Sequence, residues 1–258
     1  MSNIYKAFEN KKAFIPFITC GYPDLETTFK TVLSMADNGA DLIELGIPFS
    51  DPVAEGVVIQ EANLQALKNG VTTDKIFSMV RDLRQNIKIP MVFMTYANVI
   101  FSYNPEKFIK ICSDLNIDGL IIPDLPFEEK YEFLPYCHEN NLDLISMIAP
   151  TSENRTAMIA KEAEGFLYIV SSLGVTGVRN KITTDLDAII KIVRKNTNIP
   201  CAIGFGISTP QQAADMSKIS DGAIVGSAII KLIGKYGKNS PEYVGKYVHD
   251  MKQAIKNV

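Results

Sequence analysis

From one end of the chain to the other, short apolar runs alternate with segments of helical period, and the alternation repeats eight times. The apolar runs, rich in Ile, Val, Leu and Phe, fall at 13–20, 41–47, 90–96, 118–123, 143–149, 166–171, 200–205 and 221–225. They are continuously apolar rather than alternating, as strands are when a parallel sheet is covered on both faces. Helical patterns lie between them at 24–38, 59–68 with 72–86, 104–115, 127–140, 153–163, 184–195, 209–217 and 227–234. Several open on a helix-start signal: Asp24 after Pro23, Thr73-Asp74, Asn104 before Pro105, Ser152 before Glu153, and Thr209 before Pro210.

Eight such units predict an α/β fold, a single (β/α)8 TIM barrel with parallel strands, as one domain over 1–258; such barrels take about 250 residues. An open doubly wound sheet would carry a nucleotide fingerprint after strand 1. That strand ends instead in Thr19-Cys-Gly-Tyr-Pro-Asp24, with no G-x-G-x-x-G. A weak internal echo supports the count: Gly39-Ala-Asp-Leu-Ile-Glu44, Ile117-Asp-Gly-Leu-Ile-Ile-Pro123 and Ser220-Asp-Gly-Ala-Ile-Val225 each join a helix end to a strand through an acidic or glycine turn. Additional helices are expected at both ends. Ile4, Tyr5 and Phe8 suit a short N-terminal helix under the barrel floor. In the segment from Pro241, Tyr243, Tyr247, Met251 and Ile255 form one stripe, with Val244 and Val248 beside it.

Hydrophobic residues make up 47% of the chain, enough for a large core, and the net charge of −3 comes without a basic cluster. That argues against nucleic acid as a partner and gives no membrane-surface signal. No apolar run approaches the ~18 residues that span a bilayer, and the N-terminus lacks a signal-peptide core. Cys20, Cys112, Cys137 and Cys201 lie far apart, as reduced thiols in a cytoplasmic protein do. No metal site is expected. His138 and His249 fall in helices away from the strand ends and receive no role.

The chemistry-bearing segment is Glu44-Leu-Gly-Ile-Pro-Phe-Ser-Asp-Pro-Val-Ala-Glu-Gly-Val-Val-Ile-Gln60, a buried strand end, a stiff turn and a polar loop. It delivers Glu44 and Glu55 to the rim where barrels of this kind do their chemistry. Glu44 follows an apolar strand, where an unpaired charge is expensive. Strand 7 ends in Ala202-Ile-Gly-Phe-Gly-Ile207, and strand 8 in Ile224-Val-Gly-Ser-Ala228 as a helix begins. Glycines there let the backbone approach an anion, and free N–H groups with the Ser227 hydroxyl can surround phosphate oxygens. Loop 6, Ser171 to Lys181, bears glycines and has the length of a lid.

Taken in order, these motifs resemble the tryptophan synthase alpha subunit family from about Phe14 to the C-terminus. The pieces are Phe14-Ile-Pro-Phe-Ile-Thr with Gly21-Tyr-Pro-Asp24, Glu44-Leu-Gly-Ile-Pro-Phe-Ser-Asp-Pro52, Met94-Thr-Tyr-Ala-Asn98, Leu120-Ile-Ile-Pro-Asp-Leu-Pro126, Gly174-Val-Thr-Gly177, Gly204-Phe-Gly-Ile207 and Val225-Gly-Ser227. The absence of Trp suits an enzyme made when tryptophan is scarce.

The resemblance implies a lyase that splits indole-3-glycerol phosphate into indole and glyceraldehyde 3-phosphate, with no cofactor in this chain. It makes Glu44 the general acid/base, with a pKa raised by its apolar setting. It makes Glu55 the partner of the indole N–H, in Val-Ala-Glu-Gly where Val-Ala-Asp-Gly is usual; Val57 likewise stands where Pro is common. The phosphate is expected at Gly177, Phe205, Gly206, Gly226 and Ser227, and the indole among Phe17, Tyr96 and Tyr168. Thr176 is expected to close loop 6 against the Glu55 loop. Asp51, Asn98 and Pro126 match positions facing a beta subunit that carries pyridoxal phosphate, in an alpha2beta2 complex. Two other readings fit the same residues: a stand-alone lyase, and a weakly catalytic subunit that activates a beta partner.

Overall fold

The computed structural model describes residues 3–171, 186–256 and 258. Its elements run α1 (Tyr5–Phe8), β1 (Ala13–Thr19), α2 (Leu25–Asp37), β2 (Ile43–Gly46), α3 (Val57–Lys68), α4 (Thr73–Arg84), β3 (Met91–Met94), α5 (Ala97–Tyr103), α6 (Pro105–Asp114) and β4 (Gly119–Ile121). After a 3-10 turn at Phe127–Glu132 come α7 (Leu134–Glu139), β5 (Asp143–Ile145), β6 (Met147–Ile148), α8 (Glu153–Lys161), β7 (Leu167–Val170), α9 (Leu186–Asn196) and β8 (Cys201–Gly204). The chain ends with α10 (Pro210–Ile219), β9 (Gly222–Val225), α11 (Ser227–Tyr236), a 3-10 turn at Gly237–Asn239 and α12 (Ser240–Ile255).

The strands form one parallel sheet in the order β5-β4-β3-β2-β1-β9-β8-β7-β6. Its two ends are consecutive in sequence: β5 pairs with β4, β6 pairs with β7, and only Ser146 separates β5 from β6. The sheet is thus a closed TIM barrel in which 143–148 fills one strand position, interrupted at Ser146. Every residue of β1, β2 and β3 is buried, which accounts for their continuous apolarity.

The acidic turns of the internal echo have one structural job. Asp41 Oδ2 accepts from Phe14 N of β1 at 2.8 Å, Asp118 Oδ2 from Met91 N of β3 at 3.0 Å, and Asp221 Oδ2 from Cys201 N of β8 at 2.8 Å. Each carboxylate at the barrel floor therefore ties its own strand to the neighbouring one, and each is held by cations. Lys252 and Lys11 reach Asp41 at 2.6 and 2.8 Å, Arg84 reaches Asp118 at 3.0 Å, and Arg194 pairs with Asp221. Asn3 donates to Asp118 as well, through its backbone N and its side chain, which anchors the N-terminal segment beneath β4.

Three local differences from the sequence reading have clear causes. The helix expected over 127–140 is split, because Pro135 at the start of α7 has no N–H to continue a helix from the preceding turn. An extra helix, α5, precedes α6. Asn104, at φ 78°, ends α5, and its Oδ1 caps α6 by accepting from Lys107 N at 3.0 Å. On α12 the buried stripe is Val244, Val248, Met251 and Ile255, while Tyr243 is half-exposed and stacks on Tyr236. Gly245 lies against Ser34 of α2 and Asn38 at its C-terminal end with no room for a Cβ, so this face of α12 packs on α2.

Removing one partner of a buried ion pair strands the other, at a cost of about 3–5 kcal/mol. Asp118→Ala would strand Arg84 and the Met91 N–H, so its urea midpoint is expected to fall steeply with m unchanged. A midpoint matching the parent would show that the floor carboxylates are dispensable.

Candidate active site

β2 carries Glu44 into the barrel at the level of Phe17 on β1 and Val92 on β3. The side chain is fully buried, and neither carboxyl oxygen has a hydrogen-bond partner among the described residues. Burial alone pushes its pKa up to about 8. An acid this dry keeps its proton at neutral pH. The contrast with the floor carboxylates is sharp: those accept two or more hydrogen bonds each, and Glu44 accepts none.

Glu55 comes from the loop after β2 and is also buried. Its Oε2 accepts from Asn63 Nδ2 of α3 at 2.7 Å, and the Tyr96 hydroxyl donates to the same carboxyl. Gln60 Nε2 donates to the Glu55 backbone carbonyl at 2.7 Å, and Tyr96 Oη accepts from Ala54 N at 3.2 Å. Desolvation raises the Glu55 pKa to about 7, against the opposing pull of the Asn63 and Tyr96 hydrogen bonds.

The two carboxyls line one cavity. Its apolar walls are Phe17, Ile59, Met94, Pro123, Met147, Tyr168, Ile207 and Ile224, and Phe205, Gly206, Gly226 and Ser227 line it as well. Glycines make room for the aromatic walls. A Cβ on Gly46 would sit 2.6 Å from the Phe17 ring, one on Gly226 3.1 Å from it, and one on Gly204 2.6 Å from Tyr168 Cε1. Phe205 and Gly206 both adopt left-handed backbone, at φ 72° and 78°. That conformation is costly for phenylalanine. Ser171 pins it: its Oγ donates to Phe205 O at 2.7 Å and its N to Gly204 O at 3.1 Å. Next to this turn α11 begins at Ser227, with first-turn N–H groups that helix geometry leaves without intrahelical partners. A turn of this kind beside a helix start is suited to phosphate oxygens.

Of the residues singled out from sequence, Glu44, Glu55, Phe17, Tyr168, Phe205, Gly206, Gly226 and Ser227 come together around this cavity. Tyr96 stands behind the Glu55 loop, stacked on Phe49 at 5.1 Å, and is not among the lining residues. Thr176, Gly177 and the rest of the expected lid lie outside the described residues. Asp51, Asn98 and Pro126 are exposed on the loops and helix that follow β2, β3 and β4. Around them Val53, Val57 and Phe101 are 71%, 66% and 50% exposed, so Val57 faces away from the cavity. Asn63 was not singled out. Its signal is a polar residue inside the buried stripe Ile59, Ala62, Asn63, Ala66 of α3. Among the described residues no group of three His, Cys, Asp or Glu side chains could hold a metal ion.

Comparison with known proteins bears on this geometry. A family model described as "Tryptophan synthase alpha chain" matches residues 5–257. The tryptophan synthase alpha chain of Lacticaseibacillus casei is 46% identical over 255 residues, covering 99% of this chain and 96% of that one. The crystal structure of tryptophan synthase subunit alpha from Legionella pneumophila superposes with a TM-score of 0.90 at 35% identity and covers 100% of both chains. A chain of the Pyrococcus furiosus tryptophan synthase a2b2 complex superposes with a TM-score of 0.87 at 33% identity, covering 93% of this chain and 98% of that one.

The raised pKa of Glu44 has a consequence for stability. Its protonated form is favoured in the fold, so its contribution is full below the unfolded value of 4.5 and is lost as pH rises towards about 8. The loss by neutral pH is on the order of 3 kcal/mol. Glu44→Gln should therefore show a flatter decline of Tm across this range than the parent. Parallel profiles would mean that Glu44 ionises normally in the folded protein.

Proposed function

Because this chain belongs to the tryptophan synthase alpha chain family, we infer that its reaction takes place between Glu44 and Glu55. The protein is a carbon–carbon lyase of tryptophan biosynthesis: it cleaves indole-3-glycerol phosphate by a retro-aldol step into indole and glyceraldehyde 3-phosphate.

Indole is a poor carbanion leaving group, so C3 must gain a proton before its bond to the glycerol chain breaks. Glu44, neutral through burial, supplies that proton to C3. Positive charge then spreads to N1, and the Glu55 carboxylate, accepting the N1–H hydrogen bond, stabilises it. The Glu44 carboxylate, now without its proton, takes the proton of the glycerol hydroxyl next to the bond. The hydroxyl oxygen becomes the aldehyde, the C–C electron pair returns to the ring, and Glu44 ends as it began. Such a cycle needs one acid protonated and the other ionised; burial without a hydrogen bond favours the protonated form of Glu44, while the Asn63 and Tyr96 hydrogen bonds favour the ionised form of Glu55.

The observation that carries this assignment is that both carboxyls line one apolar cavity that the Phe205–Gly206 turn and the start of α11 line as well. The phosphate is bound there, by Gly206, Gly226 and Ser227 with Phe205, and by Gly177 from loop 6. The indole lies against Phe17 and Tyr168, with Tyr96 supporting the Glu55 side; Thr176, to which the family resemblance gives the closing of loop 6, lies outside the described residues. No cofactor is needed in this chain.

The alpha2beta2 arrangement named for the Pyrococcus furiosus complex is the assembly proposed for this protein. The beta subunit, which carries pyridoxal phosphate, docks on the rim at Asp51, Asn98 and Pro126, and the exposed apolar Val53, Val57 and Phe101 favour such a covered rim over a stand-alone enzyme. Its setting is the cytoplasm, in keeping with four buried, unpaired cysteines.

Glu44→Gln should abolish indole release while leaving the affinity for a glycerol phosphate analogue within about twofold, since Glu44 is not among the residues proposed to hold the phosphate. Cleavage at the parental rate would refute the assignment of Glu44.

A further inference from the structure

We propose that Asn63 is a positioning residue for the reaction: its side-chain amide fixes the carboxyl of Glu55 in the place where it accepts the indole N–H. The proposal rests on the reading of Glu55 given above and extends it to a residue outside the cavity.

Asn63 is 3% exposed and lies on the buried face of α3 with Ile59, Ala62 and Ala66. A buried amide is costly unless hydrogen-bonded. Its Nδ2 donates to Glu55 Oε2 at 2.7 Å, the distance of a strong bond to a carboxyl group. Gln60, one turn earlier on the same helix, donates to the Glu55 carbonyl. The first two turns of α3 thus grip both ends of one residue, its backbone and its carboxyl. A glutamate has three side-chain torsions to order, and without such a grip its carboxyl would sample positions well over an ångström apart.

The chemical type of the donor matters as much as its place. A lysine or arginine here would neutralise the carboxylate and weaken its hold on a cationic ring. A neutral amide occupies one oxygen and leaves the charge in place. The titratable groups facing Glu55 are Tyr96, from the segment after β3, and Glu44 and Tyr168 across the cavity from β2 and β7. Tyr96 donates a hydroxyl to Glu55, so it and Asn63 are the neutral groups that favour the ionised form against desolvation.

The test compares the full chain with Asn63→Leu, Asn63→Asp and Glu55→Ala, measuring kcat, KM and the pH–rate profile for indole-3-glycerol phosphate cleavage, with Tm alongside. Asn63→Leu keeps the number and branching of side-chain heavy atoms and suits the apolar surroundings, so the fold should survive. It should lower kcat roughly 10- to 100-fold, as expected for a misplaced group, with KM changed less than about threefold. The acidic limb of kcat/KM should move to higher pH, because the Glu55 carboxylate loses a donor. Asn63→Asp, the same size without an amide donor, should move the limb further in the same direction. An unchanged kcat and an unmoved limb in a folded Asn63→Leu protein, with Glu55→Ala inactive, would overturn the proposal and leave the role of Glu55 standing. Parental activity in Glu55→Ala would remove both.

Discussion

One carboxyl group without a partner sets the requirements for the rest of this molecule. Glu44 sits in the wall of a closed parallel barrel, and burial favours its protonated form because no described side chain donates a hydrogen bond to its carboxyl. Closure of the sheet is what permits this, since an open edge near β2 would admit solvent. The same barrel holds Asp41, Asp118 and Asp221 at its floor in hydrogen bonds to a neighbouring strand and in ion pairs. Position in the βα unit separates the two kinds. An acid entering a strand ties strands together; the one near the exit of β2 is left unbonded and available to a substrate.

The second acid works by a different balance. Glu55 is nearly as buried, yet Asn63 and Tyr96 hydrogen-bond its carboxyl and oppose the upward shift that desolvation imposes. Two glutamates eleven positions apart are thereby given different surroundings, one carboxyl without a hydrogen bond and one with two. Elsewhere in the cavity lining, backbone strain at Phe205 is offset by the Ser171 hydrogen bond, in a turn open to an anion. On the proposed reading, a substrate with a flat ring at one end and a phosphate at the other spans the cavity between the carboxyls and this turn.

Much of this was readable in the chain. Continuous apolar strands announced two-sided burial, and the Asp-Gly echoes announced a repeated strand entry, although not that each aspartate would bond the N–H of the strand beside it. Glu44 stood out because a charge inside an apolar run demands a reason, and the glycine turns stood out because they follow two successive strands. What escaped depends on tertiary geometry. Tyr96 reads like any aromatic at a strand end, and only its hydroxyl's reach to Ala54 and Glu55 puts it behind the loop. Asn63 interrupts a stripe of small and apolar residues, a signal too slight to weigh without knowing that α3 turns that face towards Glu55. The boundary between α5 and α6 at a positive-φ asparagine and the close approach of Gly245 to α2 are features that periodicity does not encode.

The protonation of Glu44 in the resting protein is the central claim, and infrared spectroscopy reads it without reference to turnover. The difference spectrum between the parental protein and Glu44→Gln should contain a protonated-carboxyl carbonyl band that persists at pH 7 and disappears only around the value of about 8. A band that has already vanished by pH 5, replaced by carboxylate absorption, would mean that Glu44 is charged in its cavity and cannot be the proton donor.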